Sequence, residues 1–380
     1  VPTIRLRAVI RFLHLWLGLI TGVIVTIVCV TGAIYSFESE LQDFLFDYRS
    51  VKDKSLLKQP YLSPSTLIAA AEHTIPQSKA DRVYYVAAHK TAFVRLNTIE
   101  GIRYEVYICP YTAQIKHVEN PEHNIFEIVA AIHTSLLIPE IGKQIVAWSV
   151  VIFVISLLSG IFLWFPPNLL VWKSAKGRAS RLLITFRKGS KRGIYDWHNV
   201  GGFYAFFVLL VIALTGLSIS FIQVNNVEGQ IFNQIDRWSA STTPTLPTPE
   251  FIIDQHTSSA NNAIDSAFFW VKHHFNHKGS YAVILPEDSE DYILIRSWKE
   301  TTKTATNDYF YFEQNPLRLD EVEWAKHSTW QARIDKINYD LHTGSFFGGV
   351  GRWIFFLVAL FGSTLPLTGF LIWKNKQYKF

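Results

Sequence analysis

Four uncharged apolar runs, Phe12 to Phe37, Ile145 to Phe165, Gly201 to Ile222 and Trp353 to Trp373, constrain this chain more than any other feature. None contains Asp, Glu, Lys or Arg. Each has the roughly 20 residues that a helix needs to cross a hydrocarbon core of about 30 Å. A bilayer offers no water to unpaired backbone groups, so such runs are expected to be membrane helices. The first is too long for a cleavable leader and is followed by Glu38 and Glu40 without a small-residue cleavage site, so it is expected to stay. With 49% hydrophobic and 18% charged residues, the chain is neither disordered nor collagen-like. Its two cysteines, Cys29 and Cys109, supply neither a disulfide framework nor a zinc spacing.

The bases sit beside the apolar runs. Arg5, Arg7 and Arg11 precede the first, and Lys374, Lys376 and Lys379 follow the fourth. Between the second and third lie Lys173, Lys176, Arg178, Arg181, Arg187, Lys188, Lys191 and Arg192 against the single acid Asp196. By the positive-inside rule, both termini and this connection are expected in the cytoplasm. The net charge of +5 is thus read as topology, and no nucleic-acid partner is expected. The expected order is helix 12–37, outward domain 38–142, helix 143–165, basic cytoplasmic loop 166–197, helix 198–222, outward domain 223–350 and helix 351–373. In the first outward segment, a helix at Ser63 to His73 and strands around 82–88, 92–97, 104–109 and 114–117 predict a small α+β unit. The second repeats this plan with a helix near 260–274 and strands at 281–285, 292–298 and 309–313, entered through a Pro-, Ser- and Thr-rich linker at 239–249.

The chain reads as an internal duplication. At an offset of 184, His14 aligns with His198, Gly18 with Gly202, Thr31 with Thr215, Gly32 with Gly216 and Ser36 with Ser220. At an offset of 209, His133 aligns with His342, Gly142 with Gly351, Lys143 with Arg352, Gly160 with Gly369 and Trp164 with Trp373. Under the expected topology His14 and His198 share the cytoplasmic depth, and His133 and His342 the outer depth. Two imidazoles from two helices make a six-coordinate haem site, so these four are the candidate axial ligands of two haems, with iron held by them alone. Glycines eighteen residues apart return to one helix face about 27 Å along the axis. Gly32 and Gly216 therefore fall level with the outer pair, and Gly160 and Gly369 with the inner one, while Gly18 and Gly202 follow the inner histidines by one turn. Bare backbone at these six positions could pack a flat macrocycle, although small residues also serve simple helix contact. Lys143 and Arg352 are candidates for haem propionates or for interface anchoring. Asp196 and Asp340, each two residues before a histidine, could orient an imidazole or cap a helix. No CxxCH attachment site, HExxH, GxSxG or phosphate loop is present.

These residues resemble the PepSY-associated transmembrane family of bacterial inner-membrane proteins, which includes ferric-siderophore reductases. The resemblance rests on His14-Leu-Trp-Leu-Gly-Leu leading to Thr31-Gly32, and on His133-Thr-Ser-Leu-Leu before Gly142-Lys143-Gln144. It continues in Tyr195-Asp-Trp-His198-Asn199 before Gly202-Phe203-Tyr204, and in Tyr339-Asp-Leu-His342 before Thr368-Gly369 and Trp373. Tyr104-Glu-Val-Tyr-Ile-Cys-Pro-Tyr looks like the closing strand of a PepSY domain, with Thr112-Ala113 where Thr-Gly is usual; the second domain departs further. The resemblance implies a four-helix membrane core with two periplasmic α+β PepSY-like domains and, for reductase members, two non-covalent haem b groups. The expected activity is transfer of electrons from a cytoplasmic or membrane donor to a ferric siderophore or other ferric chelate, with catalytic residues unassigned. The other reading is a haem-free PepSY membrane protein that binds a peptide, protease or chelate.

Overall fold

A computed structural model of the chain describes residues 2–185, 190–239, 251–252, 263–275, 279–288, 290–299, 307–325 and 330–377. The linker expected at 239–249 lies outside these, apart from Ser239. In chain order the elements are α1 (Pro2–Ser36), α2 (Glu38–Leu45), α3 (Pro64–Thr74), β1 (Ser78–Tyr85), β2 (Ala92–Thr98), β3 (Arg103–Ile108), β4 (Ile115–Glu119), α4 (Ile125–Ser135) and α5 (Ile141–Trp164). Then come α6 (Ala175–Leu182), α7 (Ser190–Asp196), a π-helical turn (Trp197–Gly201), α8 (Gly202–Ser220) and α9 (Ile222–Ser239). The remainder is β5 (Phe251–Ile252), α10 (Ala263–His274), β6 (Gly279–Ile284), β7 (Ile293–Lys299), β8 (Asp308–Gln314), β9 (Leu317–Glu323), α11 (Trp330–Thr343) and α12 (Gly348–Gln377). They fall into two compact units, one formed by residues 1–37, 128–228 and 338–380, the other by 38–127 and 229–337.

The helical unit holds four helices long and apolar enough to cross a membrane, at Leu6–Ser36, Ile141–Trp164, Lys191–Ser220 and Ser345–Asn375. They coincide with the four apolar runs and extend the first, third and fourth by several residues into the flanking bases. α1 packs against α5 and α12, and α8 packs against the same two, so α1 and α8 occupy one diagonal of the bundle. Helix ends with spare carbonyls are closed by arginines, as the negative end of the helix dipole favours. Arg7 donates to the carbonyls of Leu163 and Phe165 at 2.9 Å. Arg352 donates to the carbonyl of Ser36 and lies over the Phe37 ring at 4.7 Å.

Sharp breaks precede α5 and α12. Leu136, Leu137 and Glu140 have φ values of 53°, 62° and 62°, which take the chain from α4 into α5. Gly142 fits only because it lacks a side chain: a Cβ there would stand 1.8 Å from the Ser135 carbonyl. Its repeat-equivalent Gly351 faces Gly344 O, residue 135 plus 209, at 2.5 Å from the same built atom.

The second unit carries one antiparallel sheet of nine strands in the order β4-β3-β2-β1-β6-β7-β8-β9-β5. Sequence reading expects two separate α+β domains; instead β1 of segment 38–142 pairs with β6 of segment 223–350, from Arg82 opposite Ile284 to Tyr85 opposite Tyr281. The reason is visible in the burial. α3 and α10 place Leu67, Ala71, Ala267, Phe268 and Val271 in one cluster with Val83, Val94, Val283 and Ile295 from the strands. Tyr85 stacks on Phe268 with ring centroids 4.7 Å apart. Full burial of each large apolar side chain is worth about 1.5–3 kcal/mol, and a shared core keeps that gain where two short sheets would each leave an edge open. α3 begins as its sequence predicts, with Ser63 capping the Thr66 N–H and Pro64 in the first turn. Sequence reading does not predict β5 and β9; in β9 the apolar residues Leu317, Leu319 and Val322 are broken by a register shift and interspersed with charged ones.

Candidate functional site

His14 lies on α1 and His198 in the π-helical turn that opens α8, and their ring centroids stand 6.2 Å apart across the diagonal. His133 on α4 and His342 on α11 form a second pair at 6.1 Å. The structure thus brings together the two pairs that the repeat offsets select. Along α1 the pairs are separated by the eighteen residues from His14 to Gly32, which touches His133, or about 27 Å at the α-helical rise.

Each imidazole is seated in a notch made by a glycine. A Cβ built at Gly160 would stand 3.2 Å from Cε1 of His14, at Gly369 3.3 Å from His198, at Gly32 2.7 Å from His133 and at Gly216 3.1 Å from His342. These four glycines therefore make room for histidine rings, a contact that the sequence reading, which expects them to pack a macrocycle, does not foresee. The seating runs within a half of the chain, whereas each His–His pair joins the two halves. Gly18 and Gly202 differ. A Cβ at Gly18 would meet nothing within 4 Å, one at Gly202 only Leu365 Cδ2 at 3.8 Å, and both line a cavity of about 460 Å³ that includes His14 and His198.

The notches also fix the histidine protons. His133 Nδ1 lies 2.9 Å from the Val28 carbonyl and His342 Nδ1 2.9 Å from that of Ile212. His14 Nδ1 lies 3.1 Å from the Ser156 carbonyl, and His198 also bonds the Leu365 backbone. A carbonyl can only accept, so Nδ1 carries the proton and donates, and the neutral ring keeps its lone pair on Nε2. Tying Nδ1 to the notch leaves Nε2 as the ring's remaining nitrogen donor. The bonded carbonyl is always four residues before the glycine.

Sequence reading missed a third component. The residue before each glycine is Thr31, Ser159, Thr215 or Thr368, and its hydroxyl oxygen lies 3.4, 2.9, 3.1 or 3.0 Å from Nδ1 of His133, His14, His342 or His198. The signal was available as a Ser/Thr-Gly dipeptide present at the notch position of every apolar run, although the first run carries a second one, Thr21-Gly22. Asp196 and Asp340 do not take this role: fully buried Asp196 pairs with Arg192 at 2.8 Å and accepts the Thr185 N–H, and Asp340 accepts the Ser345 hydroxyl at 2.8 Å. Arg352 is engaged as a helix cap, and Lys143 is exposed.

Two nitrogen donors at each pair suit a metal that brings its remaining ligands with it. Among the described residues no three His, Cys, Asp or Glu side chains converge as a metal site of the protein's own. A multi-pass membrane protein with two histidine pairs in a four-helix core is the class that this fold and site define. The model of the PepSY-associated TM region matches residues 11–376, and the chain belongs to that family. No curated protein sequence matches it.

Proposed function

We propose that the chain is a di-haem electron-transfer protein of the bacterial inner membrane that reduces a ferric siderophore or other ferric chelate and releases Fe(II). The observation that carries this reading is the spacing of the histidine pairs. A metal about 2.0 Å from two facing imidazole nitrogens puts the ring centroids about 6.2 Å apart, because each centroid lies about 1.1 Å behind its nitrogen. The ring centroids of the two pairs stand 6.2 and 6.1 Å apart. Nδ1–H donation to a backbone carbonyl, with Nε2 bare, is the tautomer that axial ligation requires. The cavity of about 460 Å³ beside the first pair falls within the roughly 300–1,000 Å³ of cofactor sites, and Gly18 and Gly202 open its wall.

Haem b bound at each pair supplies a one-electron Fe(III)/Fe(II) couple. His14 with His198 and His133 with His342 would hold the two groups, and two nitrogen ligands from the chain at each would favour electron transfer over oxygen chemistry. Hard oxygen ligands of a siderophore bind Fe(II) far more weakly than Fe(III), so one electron frees the metal while sparing the chelator. With both termini and the 166–197 connection cytoplasmic, His14 and His198 face an electron donor in the cytoplasm or membrane, and His133 and His342 face the periplasmic chelate. The two segments 38–142 and 223–350 are then periplasmic PepSY-like domains of a duplicated chain; the 184 and 209 offsets and the fourfold notch support the duplication.

Pyridine haemochrome analysis of freshly purified, haem-replete protein tests the proposal. Two haems per chain with a six-coordinate low-spin spectrum are expected. No haem would leave the binding or regulatory role, with a peptide, protease or chelate as ligand.

A further inference from the structure

We infer that the hydroxyl before each notch glycine is a positioning residue that holds the histidine Nδ1–H and sets how strongly Nε2 donates to the iron; this rests on the haem reading above. The hydroxyl protons are already committed. Thr31 donates to Ile27 O at 2.7 Å, Thr215 to Val211 O at 2.8 Å, Ser159 to Ser156 O at 2.9 Å and Thr368 to Thr364 O at 2.9 Å. Toward the imidazole each oxygen is therefore an acceptor, the second acceptor beside the notch carbonyl. An acceptor on the far nitrogen raises the basicity of the ligating one and favours the ferric state, whose charge is higher.

The two pairs differ in which acceptor leads. At the first, the hydroxyls are close, Ser159 at 2.9 Å against the Ser156 carbonyl at 3.1 Å, with Thr368 at 3.0 Å. At the second, the carbonyls lead at 2.9 Å, and the hydroxyls of Thr215 and Thr31 stand at 3.1 and 3.4 Å. Control by the hydroxyl should thus be strongest at His14, where it is the nearer acceptor, and weakest at His133.

The test is a spectroscopic redox titration of Thr368→Val and Ser159→Ala, with Thr368→Ser and Ser159→Thr as rescue variants and Thr31→Val as the weak case. Val matches Thr in shape and removes the hydroxyl, that is, the acceptor toward the imidazole together with the donor to the carbonyl four residues earlier, a bond that the Ser rescue restores. Thr368→Val and Ser159→Ala should keep two haems and shift one midpoint upward by a tenfold change in the ferric-to-ferrous affinity ratio, about 59 mV for a one-electron couple. The rescue variants should return it, and Thr31→Val should move its haem less. Unchanged midpoints in both variants overturn the inference, as does a rescue variant shifted as far as its apolar counterpart. If Thr368→Val loses one haem, recovery of that haem with the wild-type midpoint in Thr368→Ser supports the hydroxyl, and equal loss in Thr368→Ser overturns it. A wild-type protein without haem fails at the reading beneath and takes this assignment with it.

Discussion

Gly32 and His133 are in contact so close that a methyl group on Gly32 would stand 2.7 Å from the imidazole Cε1, nearer than real side chains approach. The ring is also bonded to the Val28 carbonyl one turn earlier on the same helix, so moving it off Gly32 strains that bond. Gly32→Ala should displace His133 and destabilise the helical unit by about 1–3 kcal/mol, the usual cost of overpacking. Gly349→Ala, where an added Cβ meets nothing within 4 Å, is the matched control. Thermal unfolding in detergent and the visible spectrum check this; equal behaviour of the two variants would contradict the notch geometry.

Gly18 makes the opposite case. It borders the 460 Å³ cavity and faces open space, so a larger side chain has somewhere to go. Gly18→Leu should leave the helical unit folded, because the added methyl groups enter the cavity, yet compete with any group bound beside His14 and His198. The expected outcome is loss of about one of two haems with an unchanged far-ultraviolet circular dichroism spectrum. Full haem content in this variant would place the first cofactor elsewhere.

The four spans were legible because a bilayer permits so few backbone solutions that hydropathy and charge nearly decide them. The histidine pairs were legible for a different reason: His14 and His198, or His133 and His342, lie in repeat-equivalent positions, and equivalent positions in a four-helix core meet at equal depth. The role of Gly32, Gly160, Gly216 and Gly369 was not. A glycine on a helix face tells that something approaches closely without telling what, and the choice between a macrocycle and an imidazole depends on helix rotation, which spacing alone leaves open. The β1–β6 seam was hidden for a similar reason. Tyr281 to Ile284 reads as a strand from its own residues, but nothing local marks Arg82 to Tyr85 as its partner nearly two hundred residues earlier.

That seam has a measurable consequence. Phe268 is fully buried on α10 and stacks on Tyr85 of β1, so it serves both segments of the shared sheet. Phe268→Ala should cost about 3–5 kcal/mol through the lost burial and the cavity left behind. Hydrogen exchange should show protection falling together in β2 and in β7. If only β7 loses protection, the two segments are independent domains in spite of the shared sheet.

Orientation in the membrane is checked separately from chemistry. Reporters fused near residue 180 and after residue 380 should behave as cytoplasmic, and those near residues 90 and 280 as periplasmic, because the basic residues crowd the 166–197 connection. A cytoplasmic reporter at residue 90 would invert the depths assigned to the two histidine pairs and with them the direction of electron flow.

The pairing of halves gives the most discriminating prediction. His14 is seated on α5 by Ser156 and Ser159, and His198 on α12 by Leu365 and Thr368, so removing either ring leaves its partner still held in its own notch. His198→Ala should therefore leave one axial ligand at the first site, converting that haem to high spin or releasing it, while His133 and His342 keep the second haem low-spin. His342→Ala should do the reverse. In oriented vesicles, a reductant confined to the outer face should still reduce the second haem of His198→Ala and drive chelate reduction, whereas electrons supplied from the cytoplasmic side should not arrive. In His342→Ala, chelate reduction should fall whichever side supplies electrons, with the first haem still reducible from the cytoplasmic side. If both substitutions remove the same haem, the ligand pairs lie within the halves and not between them. If neither changes the spectrum, the four histidines serve helix packing through their notches, and the electron-transfer reading is wrong.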